Sequence, residues 1–237
     1  MTDSVGSASY GLLLKGGHVI DPANGLTAKL DVAIAGNRIA RVANDIPAGA
    51  AMTVVDMSGC YVTPGLIDMH VHVAPDFHGW VMADPHSFPN GVTTFVDAGS
   101  PGANTFESSK ADWIDKSRTR ILTFLNIVDN GMNDVDENTV ARMRPEPAAE
   151  MACRYPDLIV GIKAAHYWTS GPYDPEHRPW DNVDRAIQAG ELSHKPVMVD
   201  FWPRPPERTY RDLLMTRLRP GDIRPRGGRA GRLARAT

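Results

Sequence analysis

Two histidines one residue apart, His70 and His72, are the residues of this 237-residue chain whose types and spacing most directly suggest chemistry. They close Leu66 to Val73, a short apolar run with β-branched content that reads as a buried strand. On a strand, side chains two apart leave the same face, so both imidazoles could reach one cation. Neutral imidazole is the commonest protein ligand for divalent transition metals. Two ordinary strand histidines are the rival reading, and the Pro64-Gly65 turn that launches the strand favours the metal. Lys163 is the second informative position. It ends the apolar run Leu158-Ile159-Val160-Gly161-Ile162, where a bare ammonium is costly unless paired or modified. A salt bridge to Asp97 or Asp200 would satisfy it equally well.

These residues need a scaffold, and the pattern supplies one. Residues 1–62 read as an N-terminal β-strand module, with short strands at Leu12–Lys15, His18–Ile20, Asp31–Ala35, Arg38–Val42, Met52–Asp56 and Tyr61–Val62, and a Gly36-Asn37 turn. Residues 63–223 alternate strands and helices, the signature of βα units around a parallel sheet. Strands are expected at Leu66–His72, Val92–Asp97, Ile121–Val128, Leu158–Lys163 and Pro196–Asp200, with a sixth beginning at Ile223. Helices are expected from Asn104 or Thr105, at Pro147–Arg154, Val183–Ala189 and Tyr210–Leu218. The fold class is therefore α/β, an incomplete (β/α)8 TIM barrel of about five to six βα units, where a full barrel takes about 250 residues. Barrel active sites sit at the C-terminal ends of the strands, and His72, Asp97, Lys163 and Asp200 all fall there.

Loops after those strands carry further candidates. Asp97 and Ser100 either bind substrate or fix the Gly99 turn. His166 either lines the pocket or bonds to backbone, and His86, His177 and His78 are weaker candidates of the same kind. Tyr167, Trp168 and Trp202 read as packing groups.

Composition narrows the class. Hydrophobic residues make up 42% of the chain, ample for a core. No run approaches the roughly 18 apolar residues of a membrane span, and the first residues lack a signal-peptide pattern, so a cytoplasmic protein with no membrane partner is expected. Cys60 and Cys153 are too few for a disulfide framework. Residues 224–237 hold five arginines and no acid, so the formal charge of −3 conceals a distinctly acidic remainder. This Arg/Gly-rich tail is expected to be disordered. Nucleic-acid binding would rest on its charge alone and is not expected.

Val62-Thr63-Pro64-Gly65-Leu66-Ile67-Asp68-Met69-His70-Val71-His72 resembles the first barrel strand of the amidohydrolase superfamily. The resemblance continues through Gly91 to Ser100, Val160 to Lys163, Lys195 to Val199 and Leu218 to Ile223, and is greatest to the amidohydrolase/deacetylase branch. It implies a metal-dependent hydrolase that cleaves a C–N amide, or an ester, of a small molecule by metal-hydroxide attack, using one or two divalent ions such as Zn2+. His70 and His72 would bind the first ion, a carboxylated Lys163 would bridge, and Asp200 would assist the second, where many relatives carry histidine. The N-terminal module would form part of a small β-sandwich. A dihydroorotase-like cyclic amidohydrolase is the near alternative, a homo-oligomer is left open, and a catalytically dead barrel fragment is the alternative of another class. In relatives Thr-His follows Ile223; here Arg224-Pro225-Arg226 follows, so a C-terminal truncation or a shifted reading frame is expected.

Overall fold

The computed structural model describes residues 9–74, 81–133, 135–167 and 172–225, and the chain divides into two compact units between Gly65 and Leu66. Three sequence expectations, for His78, Trp168 and the Arg-rich tail beyond residue 225, lie outside the described residues.

The first unit is a mixed five-stranded sheet. β1 (Tyr10–Asp21) pairs antiparallel with β2 (Leu26–Ala35) and parallel with β4 (Ala51–Asp56) and β5 (Tyr61–Val62), while β3 (Arg38–Ala43) pairs with β2. The two short strands expected on either side of Gly16-Gly17 are one strand. Its register shifts between Leu14 and Gly17, and Gly16 adopts φ +75°, a left-handed geometry that suits glycine. Buried Asp31 anchors this bulge by accepting hydrogen bonds from Gly16 N at 2.7 Å, Ile46 N at 2.8 Å and Lys15 Nζ at 3.0 Å.

The second unit is a parallel sheet of β6 (Leu66–Val71), β7 (Val92–Asp97), β8 (Arg120–Asn126), β9 (Ile159–Ala164) and β10 (Val197–Val199), side by side in chain order. Strands in chain order with intervening helices are what successive βα units produce. The helices are α1 (Ala83–Ser87), α2 (Phe106–Ser109, continued by a π turn at Lys110–Ile114), α3 (Pro145–Arg154), α4 (Asp181–Ser193) and α5 (Tyr210–Asp212, continued by a π turn at Leu213–Arg217). Beyond β10, Ile223 forms a parallel bridge to Met198 where a sixth strand is expected. The third expected strand is shorter than its apolar run, because Val128 leaves the ladder to bridge Met143.

The two faces of this sheet differ in what covers them. Phe95, Leu125, Ile159, Ile162, Val197 and Val199 share a core with Ala148 and Ala152 of α3 and Val183, Ala186 and Ala189 of α4. The alternating residues Val96, Phe124 and Met198, with Leu122, Val160 and Ile223, form a separate cluster on the other, inner face. The expectation of a buried first strand is corrected: β6 is a border strand with Leu66 at 56%, Ile67 at 60% and Met69 at 48% exposure, and it ends before His72. Apolar content sets which residues can be buried, but a strand with one sheet neighbour is not covered as an interior one is.

Gly161 keeps β9 close to its neighbours. A Cβ there would lie 2.4 Å from the Phe124 ring and 2.6 Å from Pro196 O. Gly161→Ala is expected to cost about 1–3 kcal/mol, the usual penalty for overpacking, measured by urea denaturation of the full chain.

Candidate active site

Lys163 takes its position from strand alternation. Its neighbours Ile162 and Ala164 both belong to the helix-side core, so Lys163 projects to the inner face, in register with Asn126 on β8 and Met198 on β10. The side chain is fully buried, and its Nζ donates to Asp200 Oδ2 at 2.6 Å and lies 3.4 Å from His70 Nε2. His70 Nε2 is itself 3.3 Å from the same Asp200 oxygen. Three strands, β6, β9 and β10, thus deliver an imidazole, an amine and a carboxylate to one point. The ring of His72 lies 6.3 Å from that of His70, centroid to centroid.

A second set of contacts fixes the mouth of the sheet. Asp97, at the end of β7, is fully buried and accepts hydrogen bonds from Val73 N at 3.0 Å, Gly99 N at 3.1 Å, Ser100 N at 2.7 Å and Ser100 Oγ at 2.7 Å. Ser100 Oγ also meets His72 Nδ1 at 3.1 Å, so a chain of polar contacts runs from Asp97 through Ser100 to His72. The turn carrying them contains Gly99, at φ +96°, where a Cβ would fall 2.6 Å from Lys163 Cγ. Asn126, buried at the end of β8, donates to Gly99 O at 2.9 Å and holds this turn against the neighbouring strand.

Burial governs the protonation of these groups. It pushes the Lys163 amine below its ordinary pKa, with the Asp200 charge opposing. Burial, aided by the Lys163 cation, pushes His72 down to about 4, so its imidazole is neutral at physiological pH. Burial alone would raise Asp200, but hydrogen bonds from His70 and Lys163 and the Lys163 charge hold it well below the usual carboxylate range. Asp97 is pushed up by burial, against the donors that surround it.

His166 also faces the cluster: its pKa is lowered by burial and further by Lys163 and His70, with Asp200 opposing. Its buried Nδ1 has no hydrogen-bond partner among the described residues, and its ring packs 5.2 Å from that of Trp202. His86 and His177 are engaged elsewhere, with Met82 O at 2.8 Å and with Asp174 Oδ1 at 3.1 Å. Sequence reasoning missed Asn126 and missed Glu137, whose charge favours protonated Lys163. The position of Asn126 at a strand end was an available signal; Glu137 lies in a loop and had none.

These groups suit a divalent cation in chemistry. The imidazole of His72 is neutral, the Asp200 carboxylate is ionised, and a positive charge, the Lys163 ammonium, already sits between Asp200 and His70. Among the described residues, no group of three His, Cys, Asp or Glu side chains is arranged to hold a metal ion.

Fold and site together describe a C-terminal strand-end site on a parallel α/β sheet. No family model matches the chain. Individual proteins do. Deacetylase Atu3266 of Agrobacterium fabrum is 36% identical over 208 residues, covering 81% of this chain and 47% of the relative. The dihydroorotase of Citrifermentans bemidjiense is 50% identical over 62 residues, 26% of this chain and 15% of its own length. Among solved structures, a dihydroorotase superposes with a TM-score of 0.69 at 26% identity, covering 91% of this chain and 56% of that one. An adenine deaminase superposes with a TM-score of 0.67 at 26% identity, covering 83% and 52%. The chain is similar in sequence and in fold to members of the amidohydrolase superfamily. It spans about half the length of the deacetylase and of these two structures.

The Lys163–Asp200 pair can be tested as a unit. Asp200→Leu leaves a buried ammonium without its counter-charge and is expected to cost about 3–5 kcal/mol, whereas Lys163→Met combined with Asp200→Leu should cost clearly less than those two single changes added together. Equilibrium denaturation of the four proteins reads the difference.

Proposed function

We propose that this chain carries the metal-binding part of a hydrolase site that cleaves a C–N amide bond, or an ester, of a small molecule. The observation that carries the reading is the meeting of Lys163 Nζ, Asp200 Oδ2 and His70 Nε2 on the inner face of the sheet. His70, His72, Asp200 and a carboxylated Lys163 would hold one or two divalent ions such as Zn2+. Bound there, such ions polarise a carbonyl and activate water.

The residues prepare the site in a definite order. Burial lowers the proton affinity of Lys163, so its neutral amine is more accessible than that of a surface lysine. Its lone pair forms an N–C bond to carbon dioxide, one N–H proton leaves to solvent, and an anionic carbamate remains. Asp200 then faces an anion in place of an ammonium, and the cluster needs a cation to balance it. Asp97 acts through the turn: it holds Ser100, and Ser100 orients His72. His166, with its unpartnered Nδ1, is assigned to the substrate side, alongside Ser100. The deacetylase match, at 36% identity over 81% of the chain, supports an acyclic amide, while the dihydroorotase structure that superposes over 91% of the chain at 26% identity keeps a cyclic amide as the alternative.

Carbon-13 NMR of the full chain equilibrated with labelled bicarbonate and zinc tests this directly. A carbamate signal is expected in the wild type and not in Lys163→Gln. Because the folded lysine has a depressed pKa, the signal should rise with pH and be present at a lower pH than for an ordinary lysine. Bound zinc should fall in His70→Ala and Lys163→Gln, and amide hydrolysis should fall with it. A chain showing neither carbamate nor zinc would be the catalytically inert barrel fragment instead.

A further inference from the structure

The polar contacts from Asp97 through Ser100 to His72 have a direction, and that direction fixes which nitrogen of His72 can meet a cation. An imidazole able to bind a metal ion carries a single ring proton, on Nδ1 or on Nε2, and the hydrogen bond made by one nitrogen sets the state of the other. The Ser100 hydroxyl, on a residue only 8% exposed, lies between two groups: Asp97 Oδ2 at 2.7 Å and His72 Nδ1 at 3.1 Å. A hydroxyl has one proton, so it donates to one of these and accepts from the other.

The surroundings of Asp97 decide where that proton goes. An ionised carboxylate offers about four lone-pair positions. Gly99 N and Ser100 N take two on Oδ1, and Val73 N and Ser100 Oγ take two on Oδ2. Backbone N–H groups can only donate, so the ionised form satisfies every one of these contacts. A protonated Oδ2 would have to turn the Ser100 hydroxyl round and would leave Val73 N against a poorer acceptor. The lengths agree: 2.7 Å suits a hydroxyl donating to a carboxylate, and 3.1 Å suits N–H to oxygen. Asp97 therefore takes the Ser100 proton, Ser100 accepts from His72 Nδ1–H, and the lone pair of the ring lies on Nε2. The same carboxylate grips the backbone beside that ring, because the Val73 N–H belongs to the peptide that joins His72 to Val73.

We propose that Ser100 is a positioning residue: with its proton held by Asp97, it fixes His72 as the Nδ1–H tautomer and so makes Nε2 the atom offered to a divalent cation. This rests on the hydrolase reading for the cation, and on Asp97, Ser100 and His72 alone for the tautomer. Ser100 then has no proton left to give, so its hydroxyl meets a bound molecule as an acceptor only.

Nitrogen-15 NMR of the metal-free full chain, labelled at histidine, reads the tautomer without turnover, because protonated and bare ring nitrogens resonate far apart. The His72 signals are those missing from His72→Gln. Wild type should show a protonated Nδ1 and a bare Nε2. Ser100→Ala keeps the backbone N–H groups that hold Asp97, yet should lose this single tautomer. Its zinc affinity, read by chelator competition, should fall about 10- to 100-fold, the usual effect of removing the partner of a metal-binding histidine. Ser100→Thr keeps the hydroxyl and should restore both the tautomer and the affinity. Asp97→Asn, whose amide nitrogen can donate to Ser100 Oγ, should reverse the chain and favour Nε2–H, as replacing the carboxylate behind a catalytic histidine does in a serine protease. An Nε2–H tautomer in wild type, or an unchanged tautomer in Ser100→Ala whatever its zinc affinity, would overturn the proposal. Should Asp97→Asn fail to fold, the two Ser100 variants carry the decision. A tautomer set by Ser100 in a chain that binds no zinc and hydrolyses no amide would refute the hydrolase reading and leave the role of Ser100 standing.

Discussion

The second unit is organised around one costly contact, the fully buried ammonium of Lys163 against the carboxylate of Asp200. Neither charge would be stable there alone, since an unpaired ion in a sheet interior costs several kcal/mol. Their meeting requires β9 and β10 to lie parallel and in register, which pairs Lys163 with Met198 two residues before Asp200. It also requires a flat approach on the other side, where Gly99 leaves space for the lysine stem. Helix packing on the outer face sets the strands; the inner face then has no alternative but to gather its polar groups at their ends.

Much of this arrangement was written in the residue pattern. Lys163 follows a run of apolar residues with a strand period, so both its position at a strand end and its need for a partner could be read from the sequence. Asp200 could be found by the same logic applied to Lys195 through Val199, and Asp97 by its place after Val92 to Val96. The geometry of the turn was less accessible. The residue pattern leaves Asp97 open between a substrate ligand and a turn anchor; three of its hydrogen bonds lie within the turn, and the fourth, from Val73 N just past β6, exists only once the chain is folded.

What could not be read has a common cause. The exposure of β6 depends on how many strands flank it, and apolar content does not count neighbours. The unity of β1 depends on Asp31, some fifteen residues away, accepting the amide of Gly16 and so allowing the strand to continue through a glycine pair. Arg208 sits in a stretch, Arg204 to Arg211, with no apolar period and no motif. Its burial comes from aromatic residues on three other segments that converge only in the folded chain.

The border strand β6 has a consequence for how the chain behaves before and after folding. It presents backbone donors and acceptors at strand spacing next to three uncovered apolar side chains, Leu66, Ile67 and Met69. Such a border is a template for any extended polypeptide within reach, including another molecule of the same sequence. Recovery of dispersed protein will therefore be governed by collision frequency during folding, through concentration and temperature, more than by the free energy of the finished sheet.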